Sequence, residues 1–208
     1  MVKVTIFVEG GGDTRLQQSD CRKGFGEFFN KLAIKSSLII IACGGRKNAY
    51  DSFCMGLKNT KNNEYCLLLV DSEAPVNSPS VWQHVYLRVG DKWQKPDKAT
   101  EEHLHFMVEC MEAWFMADKQ TLISYYGQGF NQNALSQNAK IEDISKQDLY
   151  ATLNNATRKT AKGGYSKGRH SFEILSKIDA NKVIANSPYA KRLHNTLQKL
   201  LETPIPSS

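Results

Sequence analysis

Six carboxylates fall at the ends of apolar runs. Glu9 closes "KVTIFVE", and Asp13 follows it across Gly10, Gly11 and Gly12. Asp71 and Glu73 close "EYCLLLVDSE", while Glu109 and Glu112 flank the passage from "HLHFMVE" into "CMEAWFMAD". Carboxylates crowded onto one edge repel, and each proton lost makes the next harder to lose. A hard divalent cation resolves that conflict through oxygen-only ligands, with water and phosphate completing its shell. The set therefore describes a magnesium site, with manganese as the alternative ion. The D-x-E spacing puts Asp71 and Glu73 on one face of an extended chain, and no lysine is evident among the six. Three glycines in a row allow positive φ and let a phosphate backbone come close to the main chain.

Taken singly these features are ordinary. A Glu-Gly at a strand end is usually a turn, and D-x-E is often a solvated strand terminus. Their order on successive apolar runs is what points to a metal. "VEGGGDT" is neither the spaced-glycine dinucleotide fingerprint nor a loop ending in G-K-[ST]. The histidines His84, His103, His105 and His194 show no ligand spacing. No tyrosine sits in a context that marks a transesterification nucleophile, so hydrolysis is the expected chemistry.

The cations are unevenly spread. Residues 1–150 carry 17 Lys and Arg against 18 Asp and Glu, whereas residues 151–208 carry 10 against 3. A basic C-terminal section beside an acidic one suggests a polyanion partner, DNA or RNA. "KGGYSKGRHSF" (162–172) brings Ser166, Lys167, Arg169, His170 and Ser171 to the start of a helix, where backbone N–H groups favour phosphate. Arg46, Arg158, Lys159, Lys162, Arg169 and His170 are the expected nucleic-acid contacts, together with the three glycines.

These groups need a scaffold. "VKVTIFVE" (2–9), "LIIIAC" (38–43), "EYCLLLVDSE" (64–73) and "HLHFMVE" (103–109) read as strands apolar on both faces, with helices over 15–34 and 46–58 between the first three. Leu16, Phe25, Phe28, Phe29 and Leu32 form the inward face of the first helix, and Ala49, Tyr50, Phe53 and Leu57 that of the second. This alternation predicts an α/β fold with a parallel sheet flanked by helices, whose ligands bind beyond the carboxyl ends of the strands. Residues 74–101 read as irregular, with a short strand at "WQHVYLRV". "CMEAWFMADKQTLISYY" reads as helical, and 127–146 as a polar surface excursion. Helices near 147–158, 170–178 and 188–201 form a basic C-terminal section, and Pro204 and Pro206 mark a frayed tail. One domain over 1–208 is predicted, with a core of about 1–126 and a helical extension of about 147–203. Five widely spaced cysteines, Cys21, Cys43, Cys54, Cys66 and Cys110, fit buried free thiols in a reducing cytoplasm. No apolar run is long enough to span a bilayer, so no membrane role is expected.

"FVEGGGDT" followed by "LLLVDSE" resembles the Toprim domain of topoisomerases, bacterial primases, recombination mediators and OLD-type nucleases. The resemblance implies that Glu9 is the glutamate after the first strand, and that Asp71 and Glu73 are the acidic pair, with Glu73 where the family has a second Asp. The E-x-x-x-D spacing of Glu9 and Asp13 is closer to the OLD nuclease form, which recruits two metals. A second ion near Asp13 and Glu112 is then expected, and Lys167 is matched to the lysine that stabilises transition-state charge. "ACGGR", "LLLVDSE", "CMEAWFMAD" and "YSKGRHSFEIL" resemble, over nearly the whole chain, a family of small bacterial Toprim-like proteins of unassigned function related to RloB and OLD proteins. The implied catalytic set is Glu9, Asp71, Glu73 and Lys167, in a metal-dependent endonuclease acting in defence against phage or mobile DNA. An ATPase encoded nearby is the implied partner, and self-association is left open. The alternative is a non-catalytic nucleic-acid-binding or regulatory subunit of such an ATPase system.

Overall fold

The computed structural model describes residues 2–32, 34 and 38–202. Four parallel strands, β1 (Lys3–Val8), β2 (Leu38–Ala42), β3 (Glu64–Asp71) and β4 (Leu104–Met107), form one sheet in the order β2-β1-β3-β4. Val8 pairs with both Ala42 and Leu69, and Asp71 with Met107, so all four strands end on the same edge. The predicted parallel α/β sheet flanked by helices is the architecture found.

Helices cover both faces. On one, β1 sends Val4, Ile6 and Val8, and β3 sends Leu67 and Leu69, into the larger core cluster. Helix α1 (Arg15–Asn30) joins that face through Cys21, Phe25, Phe28 and Phe29, spaced three and four apart. Thr14 caps it, accepting the Gln17 N–H at 3.2 Å. On the other face, Phe7, Leu68, Val70 and Phe106 meet Ala49, Phe53 and Leu57 of α2 (Arg46–Lys58).

The second face holds a correction. "WQHVYLRV" forms a helix, α3 (Val81–Leu87), and no strand. Ser80 caps it, accepting the Gln83 N–H at 3.1 Å. Val81, Trp82, His84 and Val85 turn inward at helical spacing, which an alternating reading misses. Strand β2 also departs from expectation. Ile39 and Ile41 are 38% and 37% exposed, because β2 lies at the sheet edge and α2 packs chiefly over β1 and β3. Leu16, expected inward, is 71% exposed at the start of α1.

After β4 the chain winds through a 3-10 helix (Met111–Asp118) into α4 (Lys119–Tyr126). Seven of the eight residues in the 3-10 segment are buried, which fits a helix apolar nearly all round. Trp114 stacks on Phe28 with ring centroids 4.9 Å apart. Residues 127–146, read as a surface excursion, contribute Leu135, Ile141 and Ile144 to the core. The C-terminal section is α5 (Lys146–Thr157), α6 (Lys167–Lys177), α7 (Ala180–Asn186) and α8 (Pro188–Glu202). The third of these was not expected. Ile174, Val183, Leu193 and Leu197 share one cluster with the sheet, so these helices complete the core. Pro204 and Pro206 lie outside the described residues.

Helix α6 is drawn onto α1 by Gly24, where a Cβ would stand 2.7 Å from the Phe172 carbonyl oxygen. An interior helical glycine costs roughly 1 kcal/mol, and here it permits that approach. The contact brings the start of α6, with Lys167, to the carboxyl edge of the sheet. No helix among the described residues is long and apolar enough to cross a membrane.

Candidate metal centre

Glu9 leaves the end of β1 with its N–H bonded to the Leu69 carbonyl at 3.0 Å, as though continuing the ladder to β3. Its Oε2 accepts the Asp71 N–H at 3.2 Å. Asp71 ends β3, and its Oδ1 accepts the Met111 N–H at 2.9 Å. Two residues on, Glu73 holds φ +64°, a left-handed conformation unusual for a side chain of this size, and its N–H binds the Glu109 carbonyl at 2.8 Å. That geometry turns its carboxylate back over the edge. One carboxylate oxygen from each of Glu9, Asp71 and Glu73 lies within 4.8 Å of the others.

Neither Asp13 nor Glu112 joins the set. Asp13 is exposed beyond the glycine turn. Glu112 is fully buried in the 3-10 segment, where its Oε1 accepts the Tyr165 hydroxyl at 2.7 Å and its Oε2 has no hydrogen-bond partner. Among the described residues, Glu9, Asp71 and Glu73 are the one cluster of three or more groups that could ligate an ion.

Two of the three cations at the cluster, Arg46 and Lys146, were not expected beside it. Arg46 Nη1 lies 2.9 Å from Glu9, Lys146 Nζ 2.7 Å from Glu73, and Lys167 Nζ 3.3 Å from Asp71. Each carboxylate has its own counter-charge. Arg46, expected to meet nucleic acid, is instead tied inward, with Nε and Nη2 on the two Asp91 oxygens at 2.7 and 2.8 Å. Nη1 also donates to the Asp71 carbonyl, and the guanidinium lies over Trp93, 4.8 Å from its centroid. Burial alone would raise Asp91, but Arg46 and Arg88 outweigh it and hold its carboxyl below the usual range. Lys167 opens α6 with its side chain half-exposed. Burial alone would lower it, yet Asp71 and Glu112 prevail and keep its ammonium well above the ordinary lysine value.

Gly10, Gly11 and Gly12 have φ of +136°, +92° and +53°. The turn they make pairs Gly10 with Gly44 through two backbone hydrogen bonds of 2.9 and 2.8 Å. A Cβ on Gly11 would stand 3.0 Å from Gln18 Cα and 3.2 Å from Cys21 Cβ. The missing side chains thus serve the chain's own packing against α1. His170, another expected contact, is buried, with Nδ1 accepting the Ser166 N–H at 3.2 Å and lying 3.1 Å from the Tyr126 hydroxyl. Arg158, Lys159, Lys162 and Arg169 are exposed. Lys162 lies over the Tyr125 ring at 4.7 Å.

Asp71 yields a pH expectation. Burial, with Glu9 and Glu112 reinforcing it and Lys167 and Lys146 opposing, pushes its carboxyl up to about 7. An unfolded carboxylate loses its proton near 3.9, so between roughly pH 4 and 7 the metal-free native state binds a proton that the unfolded state does not. Its contribution to stability is fullest below about pH 4 and is lost as pH rises through about 7. In chelator, melting temperature should fall from pH 5 to pH 8, and fall less in Asp71→Asn. Parallel pH slopes for the two proteins would show that Asp71 does not titrate there.

Two carboxylates unlike in burial and a third on a left-handed turn make a hard, oxygen-only donor set of the kind that takes magnesium or manganese. No curated protein and no solved structure matches the chain. A family model does match residues 8–198, a span that takes in all three carboxylates, their three cations and the helical C-terminal section. The chain therefore belongs to the family described as Domain of unknown function (DUF4276).

Proposed function

We propose that the chain is a Toprim-like, divalent-metal-dependent hydrolase of nucleic-acid phosphodiesters. The observation that carries this reading is the convergence of Glu9, Asp71 and Glu73 at the carboxyl edge of a parallel sheet. That edge is where open α/β sheets bind ligands. Magnesium or manganese held by these three would polarise the phosphodiester and lower the pKa of an attacking water.

The remaining work falls to the chain itself. Arg46 fixes the Glu9 carboxylate. Lys167, charged at any physiological pH and half-exposed beside Asp71, is suited to hold a negatively charged phosphoryl oxygen. The exposed Arg158, Lys159, Lys162 and Arg169 would bind backbone phosphates without regard to sequence. Asp13 and Glu112, being outside the cluster, support no second ion, so the proposal is a one-ion site. A role in defence against phage or mobile DNA, beside an ATPase partner, rests on the resemblance to RloB and OLD proteins.

One observation favours the rival reading. Each of the three carboxylates already pairs with a cation, as a purely structural network would, and a nucleic-acid-binding subunit would need no more. Incubation with plasmid, linear DNA and RNA, each with magnesium, manganese or chelator, separates the two. Cleavage lost in chelator is the expected result. Salt-sensitive binding without products under either ion would favour the regulatory subunit.

A further inference from the structure

Of the three cations at the cluster, Arg46 is immobile. Asp91, Glu9, the Asp71 carbonyl and the Trp93 ring hold its guanidinium from four directions. Lys146 is held otherwise. Its backbone N–H, at the first position of α5, is anchored on Glu109 Oε2 at 2.8 Å, while its ammonium bonds Glu73 Oε2 at 2.7 Å. Its side chain is 30% exposed, so the ammonium can leave Glu73 for solvent while its backbone stays in place. Glu73 has its backbone fixed by a left-handed conformation and by its N–H bond to Glu109, which keeps its carboxylate at the cluster.

Charge bookkeeping gives this a direction. Glu9, Asp71 and Glu73 carry three negative charges when ionised, and Arg46 and Lys167 leave one. A divalent ion more than balances that one, so with an ion bound Lys146 is surplus at Glu73. The same carboxylate oxygen cannot serve both at full strength.

We infer that Lys146 is a displaceable counter-ion, which holds Glu73 ready when no ion is bound and competes with the divalent ion for that carboxylate. This rests on the metal-site reading above. Lys146 then sets how much free metal the site needs, and it is a positioning residue.

The test is manganese binding by calorimetry on wild type, Lys146→Gln, Lys146→Arg and Asp71→Asn, with folding checked by thermal melts. An exposed Lys61→Ala, before the far end of β3, serves as the field control. Lys146→Gln is expected to bind manganese about three- to tenfold more tightly than wild type, since a half-buried ion pair no longer has to be broken. Lys146→Arg should stay near wild type. A merely structural Lys146 would give weaker binding on removal, which is the opposite sign. Unchanged or weaker binding in Lys146→Gln, or an equal gain in Lys61→Ala, overturns the inference. If Asp71→Asn loses manganese while Lys146→Gln matches wild type, only the counter-ion role fails. If wild type and Asp71→Asn bind alike, the metal site itself fails, and this inference with it.

Discussion

Asp71→Asn is expected to abolish divalent-ion binding and phosphodiester cleavage while leaving the sheet intact. The amide nearly matches the carboxylate in volume, and the site is closely packed, with the Asp71 side chain 3% exposed. What changes is charge. An amide offers a hard cation no ionised ligand, and the two flanking glutamates cannot supply the missing anion. It also has one acceptor oxygen where the carboxylate has two. That oxygen can keep the Met111 N–H now on Oδ1 or the Lys167 ammonium now on Oδ2, but not both. The geometry favours Met111, whose N–H is buried and has to be satisfied, so Lys167 should be released. Lys167→Ala then makes the informative partner. It should keep manganese affinity and slow turnover by roughly 10²-fold, the scale on which removing one charge-stabilising donor acts. Calorimetry with manganese, alongside cleavage rates, reads both. Full metal affinity in Asp71→Asn would mean that the acidic cluster is not an ion site. Lost metal affinity in Lys167→Ala would mean that the lysine builds the cluster instead of acting on substrate.

How much of this could be read in the sequence follows from how far each signal reaches along the chain. Glu9, Asp71 and Glu73 were legible because each ends an apolar run, and strand ends of a parallel sheet share an edge. Helix α1 was legible from phenylalanines at helical spacing. Its first turn was not, because Leu16 fits the period but lies where the helix runs out beyond the core. Segment 81–87 misled because its aromatic and β-branched residues suit a strand, while the helix shows in the inward spacing of Val81, Trp82, His84 and Val85 behind a capping hydroxyl on Ser80. Arg46 and Lys146, as partners of the carboxylates, were the larger miss. Lys146 lies 73 residues from the Glu73 it pairs with, and nothing in "SKQDLY" beyond a capping serine marks it. Arg46 was expected to meet nucleic acid, but its role depends on Asp91, which sits in a loop read as irregular. Ion pairs between distant segments leave no periodic trace. They emerge only once the sheet has set which loops meet.

Arg46 gives the largest expected effect on stability, and it separates scaffold from surface. Its guanidinium forms a bidentate pair with Asp91, whose side chain is 1% exposed, and a third bond to Glu9 at 2.9 Å. The Trp93 ring beneath it stacks on Tyr50 with centroids 4.6 Å apart and planes 7° from parallel. Arg46→Ala strips one partner from a buried carboxylate and opens a gap above Trp93. Asp91 keeps Arg88 at 2.9 Å, which limits the damage. A loss of about 3 kcal/mol is expected, at the lower end for breaking a buried ion pair. At this chain length that corresponds to a melting temperature lower by roughly 6–12 °C. Arg46→Lys should recover less than half of it, because an ammonium cannot address both Asp91 oxygens and Glu9 at once. A phosphate-contacting arginine would behave differently. Its removal would weaken nucleic-acid binding and flatten the salt dependence while leaving the melt unchanged. Thermal melts and a salt titration of DNA binding on the same two variants decide the matter. An unchanged melting temperature in Arg46→Ala, with a shallower salt slope, would return Arg46 to the nucleic-acid surface and leave Glu9 without its anchor.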